Sequence, residues 1–213
     1  MNLSIFFKLV SGKESHSLVK MSKKNKTFFS AAVFLIFSFF CTPRAPFQME
    51  TWSGRLLDGT PVRLGDVNSQ ILILNFYSPT CQPCIEELPA LEILYETAKK
   101  KNASMYIVLE GNPLSHGLEE RGNEEENYIE IRNRMQEDVM KYAISIPVLI
   151  IDARFPVFGE GGLITGTPET ILLKTQPLVL KYNFVGPIAS TGTLEEIKKD
   201  ERLSFILARL NEL

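Results

Sequence analysis

The stretch Ile71-Leu72-Ile73-Leu74-Asn75-Phe76-Tyr77-Ser78-Pro79-Thr80-Cys81-Gln82-Pro83-Cys84-Ile85 decides how this chain is read. Residues Ile71 to Tyr77 are nearly all apolar, the composition of a central strand covered on both faces. From Ile85 to Lys101, Leu88, Leu91, Leu94 and Tyr95 recur at helical spacing, and Lys99, Lys100 and Lys101 suit the negative end of a helix. Pro89 falls in the first turns and predicts a bend. Cys81 and Cys84 therefore stand at a strand-to-helix junction, where two thiols separated by two residues can close a small, reactive disulfide. The first sulfur then lies near the positive end of the helix, which favours its thiolate over its thiol.

Other chemistries use the same C-x-x-C spacing. Zinc needs two further ligands, and the remaining candidates are Cys41, His16 and His116. Haem attachment needs His directly after the second Cys, where this chain has Ile85. A structural disulfide remains open, although so short a loop adds little stability. Redox chemistry is the leading reading.

At 213 residues the chain can build one well-buried domain plus extra segments. Its 45% hydrophobic and 23% charged residues are those of an ordinary globular protein. A net charge of -2 gives no electrostatic case for nucleic acid. The sequence has no P-loop, no G-x-G-x-x-G and no fixed-period repeat, so nucleotide-binding and solenoid readings have no support.

The N-terminus is set aside from the fold. Lys20, Lys23, Lys24 and Lys26 precede the apolar run Phe28 to Phe40, which at about 13 residues is short of the roughly 20 needed to cross a bilayer as a helix. Basic then apolar is the layout of a secretory signal, with Met21 as a natural start. Cys41 follows the run, where a bacterial lipoprotein signal places its lipidated Cys, although Ser38-Phe39-Phe40 departs from the small residues that usually end a lipobox. Lipidation of Cys41, an uncleaved signal anchor and ordinary cleavage all stay open. Each exports the domain, to the periplasm or the outer face of a bacterial membrane, where the remaining cysteines meet oxidants. The expected organisation is an N-terminal extension and signal-like or anchor segment over 1–41, a tether over 42–51, and one domain over 52–213.

Within that domain, Thr51 to Leu57 and Pro61 to Leu64 flank Asp58-Gly59, a strong hairpin signal. Ser104 to Leu109 and Ile146 to Ile151 read as further strands. The acidic run Glu119 to Glu126 reads as solvated surface. After it, Tyr128, Ile131, Met135, Val139 and Tyr142 share one face of an amphipathic helix. Thr170 to Lys174 and Leu178 to Phe184 suggest an antiparallel pair, and Glu195 to Leu213 a closing helix. This order predicts an α/β domain whose mixed central sheet is flanked by helices, with an N-terminal β-hairpin and an inserted helix.

With these motifs placed, the chain resembles the thioredoxin-like superfamily, specifically the exported, membrane-tethered TlpA/ResA-type thiol-disulfide oxidoreductases. The similarity covers roughly Trp52 to Leu213. It is strongest over Asn75 to Pro89, and Gly166-Thr167-Pro168-Glu169-Thr170 matches where the family places its cis-proline. The resemblance implies that Cys81 attacks a partner disulfide and that Cys84 resolves the mixed disulfide. It also implies a cis Pro168 against the disulfide, with the Thr167 backbone available to an extended substrate; an ordinary trans turn proline is the alternative. Glu87 matches the family's acidic residue after the second Cys and can exchange protons with Cys84 if it is partly buried; otherwise it is a solvated helix-start residue like Glu86. Thr80, Gln82 and Pro83 surround the site. Thr80 stands where many relatives have Trp, and Asn75 where thioredoxin has a buried Asp, which leaves Glu87 as the better proton acceptor.

The implied activity is reduction of protein disulfides, for example in cytochrome c maturation, with electrons from a membrane thiol donor. No cofactor is implied beyond the Cys81–Cys84 disulfide, and no metal. A disulfide oxidase or isomerase of the same fold is the main alternative. A copper metallochaperone needs a His near the thiols, and His116, the one candidate, reads as a free loop residue. A thiol peroxidase finds only a weak echo in Ser78-Pro79-Thr80-Cys81, since Leu74 stands where its upstream proline is expected.

Overall fold

The computed structural model describes residues 48–159 and 162–213. The signal-like segment, Cys41 and most of the expected tether lie outside the described residues. The end of that tether is a correction. Gln48–Thr51 form a 3-10 turn, and Met49 is buried in the core, so these residues belong to the folded body.

A seven-stranded mixed sheet runs in the order β2-β1-β5-β4-β3-β6-β7. Its strands are β1 Ser53–Leu56, β2 Pro61–Arg63, β3 Ile71–Phe76, β4 Ser104–Leu109, β5 Val148–Ile151, β6 Glu169–Lys174 and β7 Val179–Val185. Strand β3 pairs in parallel with β4 and antiparallel with β6. Strands β4 and β5 are parallel, and β1 closes the opposite side antiparallel to β5 and β2.

The apolar run of β3 is explained by its two buried faces. Alternate residues point to opposite sides. Ile71 and Ile73 join one core cluster, while Leu72, Leu74 and Phe76 join another. Buried helical residues such as Leu91, Leu94, Ile131, Met135, Leu203 and Ile206 pack in the first cluster. The second is covered by Met49, Trp52, Leu64, Val157 and Ile164. Each fully buried Leu or Ile contributes about 1.5–3 kcal/mol.

Two expected helices are divided. The stretch starting at Ile85 is a short helix α1, Gln82–Glu86, followed by α2, Leu88–Lys100. Pro89 at the start of α2 has no N–H to give the Ile85 carbonyl and would clash with it in a continuous helix. The amphipathic segment is α3, Glu124–Tyr142. The closing helix is divided into α4, Leu194–Ile197, and α5, Glu201–Glu212. A capping box between Thr193 and Glu196 starts α4, and the Asp200 carboxylate, accepting from the Arg202 and Leu203 N–H groups, starts α5.

Candidate active site

Strand β3 delivers the chain to the site. After Phe76, a turn closed by the Cys81 N–H donating to the Ser78 carbonyl at 3.0 Å brings Cys81 to the start of α1. Cys81 is extended there and caps the helix, its sulfur accepting from the Cys84 N–H at 3.2 Å. The two cysteines form a disulfide. They differ in access: Cys81 is half-buried, whereas Cys84 has 0% exposure. Gln82 and Pro83 between them are exposed.

Glu87 and Glu86 separate sharply. Glu86 is exposed and accepts from Gln82 Nε2 at 2.8 Å. Glu87 is 1% exposed and stands three residues after Cys84, a spacing that places Cβ atoms about 5–6 Å apart on a helix. Its Oε1 accepts from Asn75 Nδ2 at 2.8 Å and its Oε2 from the Ile188 N–H at 2.8 Å. Burial raises its pKa to about 7, against the opposing pull of those two hydrogen bonds and of the Arg202 charge. Asn75 Nδ2 also reaches Thr170 Oγ1 at 2.9 Å. A carboxyl poised near neutrality one helical turn after Cys84 can hold or release a proton in the working pH range when the disulfide is reduced.

The Thr167–Pro168 peptide is cis and Pro168 is buried. Phe76 lies opposite Glu169 in the β3–β6 register, so Pro168 sits at the sheet end from which the cysteine loop leaves. Thr167 is half-buried. The fully buried Glu169 carboxylate ties this turn down, accepting from the Thr165 N–H at 2.9 Å, Thr165 Oγ1 at 2.6 Å and Asn183 Nδ2 at 2.8 Å. Glu169 is a site residue that the sequence offers only as the neighbour of Pro168.

His116 corrects an expectation. It is not a free loop residue but is 1% exposed. Its Nδ1 lies 3.2 Å from Ser78 Oγ and its Nε2 2.7 Å from the Glu110 carbonyl. Both ring nitrogens are thus engaged by protein groups, which argues against the copper-ligand role. Thr80, by contrast, is exposed, with Oγ1 3.1 Å from Ser78 Oγ. No local pattern reveals this cluster, because Ser78 and His116 are 38 residues apart.

The chain is similar to several known proteins. The model of the AhpC/TSA family matches residues 44–144. A protein named thiol-disulfide oxidoreductase ResA from Halalkalibacterium halodurans is 27% identical over 150 residues, covering 70% of each chain. The protein of that name from Geobacillus thermodenitrificans is 25% identical over 145 residues, 67% of this chain and 68% of its own. Among solved structures, a thioredoxin family thiol:disulfide interchange protein from Chlorobium tepidum superposes with a TM-score of 0.49 at 18% identity, covering 78% of this chain and 99% of that one. StoA from Bacillus subtilis gives 0.45 at 19% identity, covering 69% and 92%. The Cys81–Cys84 disulfide at a strand-to-helix junction, the mixed sheet that carries it and the sequence relatives lead to one conclusion: the chain is a thiol-disulfide oxidoreductase, similar over residues 44–144 to the AhpC/TSA family.

Proposed function

We propose that this protein reduces protein disulfides outside the cytoplasm, held at a membrane by its N-terminus and supplied with electrons by a membrane thiol donor. Apocytochrome c is one substrate that fits this reading. The observation that carries it is the asymmetry of the dithiol, a half-buried Cys81 beside a fully buried Cys84 next to Glu87. Support for export comes from Lys20 to Lys26, the apolar run Phe28 to Phe40 and Cys41.

In the reducing direction the Cys81 thiolate attacks one sulfur of the partner disulfide, and the other partner sulfur leaves as a thiolate. Glu87 takes the proton of Cys84. The Cys84 thiolate then attacks Cys81 Sγ in the mixed disulfide and expels the second partner sulfur. Two electrons pass to the partner, which ends as a dithiol, and the protein ends with the Cys81–Cys84 disulfide. Thr167, with its backbone beside the cis Pro168, presents an edge to the extended substrate, and Thr80, Gln82 and Pro83 form the rim.

The test is trapping. A Cys84→Ser variant expressed in the full chain accumulates mixed disulfides through Cys81, whose partners are identified after diagonal electrophoresis. Partners trapped equally through a Cys81→Ser variant defeat the assignment. A potential near roughly -120 mV against glutathione, rather than one toward -270 mV, overturns the reducing direction in favour of an oxidase or isomerase.

A further inference from the structure

The turn that carries Cys81 is anchored from behind by a chain of side chains that the exchange chemistry above does not use. Ser78 is its knot. The Ser78 carbonyl accepts from the Cys81 N–H at 3.0 Å. Its hydroxyl stands 3.1 Å from Thr80 Oγ1, 3.5 Å from the Thr80 N–H and 3.2 Å from His116 Nδ1. His116 in turn is fixed to the end of β4, its Nε2 at 2.7 Å from the Glu110 carbonyl.

The chemistry gives this chain a direction. A carbonyl only accepts, so Nε2 carries the proton and donates to Glu110. In the neutral ring Nδ1 is then an acceptor, and the Ser78 hydroxyl donates to it at 3.2 Å in preference to the more distant Ser115 carbonyl at 3.4 Å. The Ser78 oxygen is left to accept from Thr80 Oγ1–H. Donors therefore run one way, from Thr80 at the exposed rim through Ser78 to His116 and on to the Glu110 carbonyl just past β4. Burial favours the neutral ring by pulling the His116 pKa down. The loop that carries His116 also backs directly onto the rim: a Cβ at Gly117 would lie 3.2 Å from Thr80 Cγ2.

We propose that His116 is a positioning residue for disulfide exchange, holding Thr80 and the Cys81 turn through the Ser78 hydroxyl so that Cys81 caps α1 with its sulfur toward the Cys84 N–H. In this chain a hydroxyl relay to a buried histidine anchors the residue before the attacking thiol. The proposal rests on Cys81 being that thiol.

The experiment is the rate at which the reduced full chain attacks oxidised glutathione, followed for the wild type, Ser78→Ala, His116→Gln, the double variant, Thr80→Val and Thr80→Ser, with circular dichroism confirming each fold. Losing one such hydrogen bond slows attack about fivefold. Ser78→Ala and Thr80→Val show that loss. Thr80→Ser, which keeps the hydroxyl, retains the wild-type rate, a rescue that a role in stability alone does not produce. The Ser78→Ala/His116→Gln double variant is no slower than either single one, because both cut the same chain. Folded Ser78→Ala and Thr80→Val proteins reacting at the wild-type rate overturn the proposal while leaving the oxidoreductase reading intact, as do additive losses in the double variant. Attack that survives Cys81→Ser overturns the functional reading and the proposal with it.

Discussion

Asn75 Nδ2 donates to Glu87 Oε1 at 2.8 Å, with Asn75 at 0% and Glu87 at 1% exposure. The pair joins the middle of the central sheet to the helical segment that carries Cys84. An Asn can stabilise either form of the carboxyl, because it carries both donor and acceptor atoms. Its own Oδ1 is buried without a partner, so this side chain is held for what its amide nitrogen does, bridging Glu87 and Thr170.

Glu87 makes stability fall as pH rises. Its folded pKa of about 7 lies above the ordinary 4.5, so the folded state binds the proton more tightly than the unfolded one. Its contribution is fully present below about 4.5 and is lost as pH climbs through about 7, with a ceiling of roughly 3 kcal/mol. Denaturant unfolding across that window should show a decline in wild type that is absent in Glu87→Gln. Glu86→Gln, on the exposed face, should keep the wild-type profile. Glu87→Gln should also slow disulfide exchange and alter its pH dependence.

Removing the Asn75 amide leaves the Glu87 carboxyl with one fewer donor and Thr170 Oγ1 without this partner. Asn75→Ala should destabilise the protein by about 1–3 kcal/mol and push the Glu87 pKa higher still. Urea unfolding and titration of the carboxyl by infrared difference spectroscopy measure the two effects. A lowered Glu87 pKa would contradict the account.

The two thiols should differ in reactivity once reduced. Cys81 is half-buried at the helix start and Cys84 fully buried. Brief alkylation near neutral pH followed by peptide mass mapping should find label on Cys81 first. Preferential label on Cys84 would reverse the assignment of attacking and resolving thiols.

Ile151 of β5 pairs with Gly54 of β1. A Cβ there would lie 2.2 Å from the Ile150 carbonyl oxygen, a backbone atom that cannot turn aside. Gly54→Ala should cost at least about 1–3 kcal/mol by forcing the strands apart. A lowered thermal midpoint with an unchanged Cys81–Cys84 exchange rate in the folded protein is the expected pattern.

Export through the N-terminal segment predicts that a reporter fused after Trp52 is active only outside the cytoplasm. Palmitate incorporation lost in Cys41→Ala would establish lipidation. Incorporation unaffected by that substitution would reject it in favour of an anchor or a cleaved signal.

The sequence by itself determined the chemistry and most of the elements. A strand buried on both faces betrays itself by a continuous apolar run, a helix by its spacing, and a reactive dithiol by two cysteines where one passes into the other. Family resemblance further singled out Glu87 over Glu86 and the Thr167–Pro168 peptide as cis. Only the tertiary structure decided what those residues meet. Pairing of Glu87 with the Ile188 N–H spans 101 positions and the link from His116 to Ser78 spans 38; the first joins the segment after β3 to the segment after β7, two strands away in the sheet, and the second joins the segments after the neighbouring strands β3 and β4. His116 looked like a free loop residue because a histidine in a polar loop carries no periodic mark of burial. The breaks at Glu87 and before Asp200 were hidden for a related reason: apolar periodicity continues across a short interruption, while the hydrogen bonds that end one helix and start the next depend on capping atoms and missing donors. Local periodicity is written along the chain, whereas a buried polar contact is written only in the pairing of distant segments.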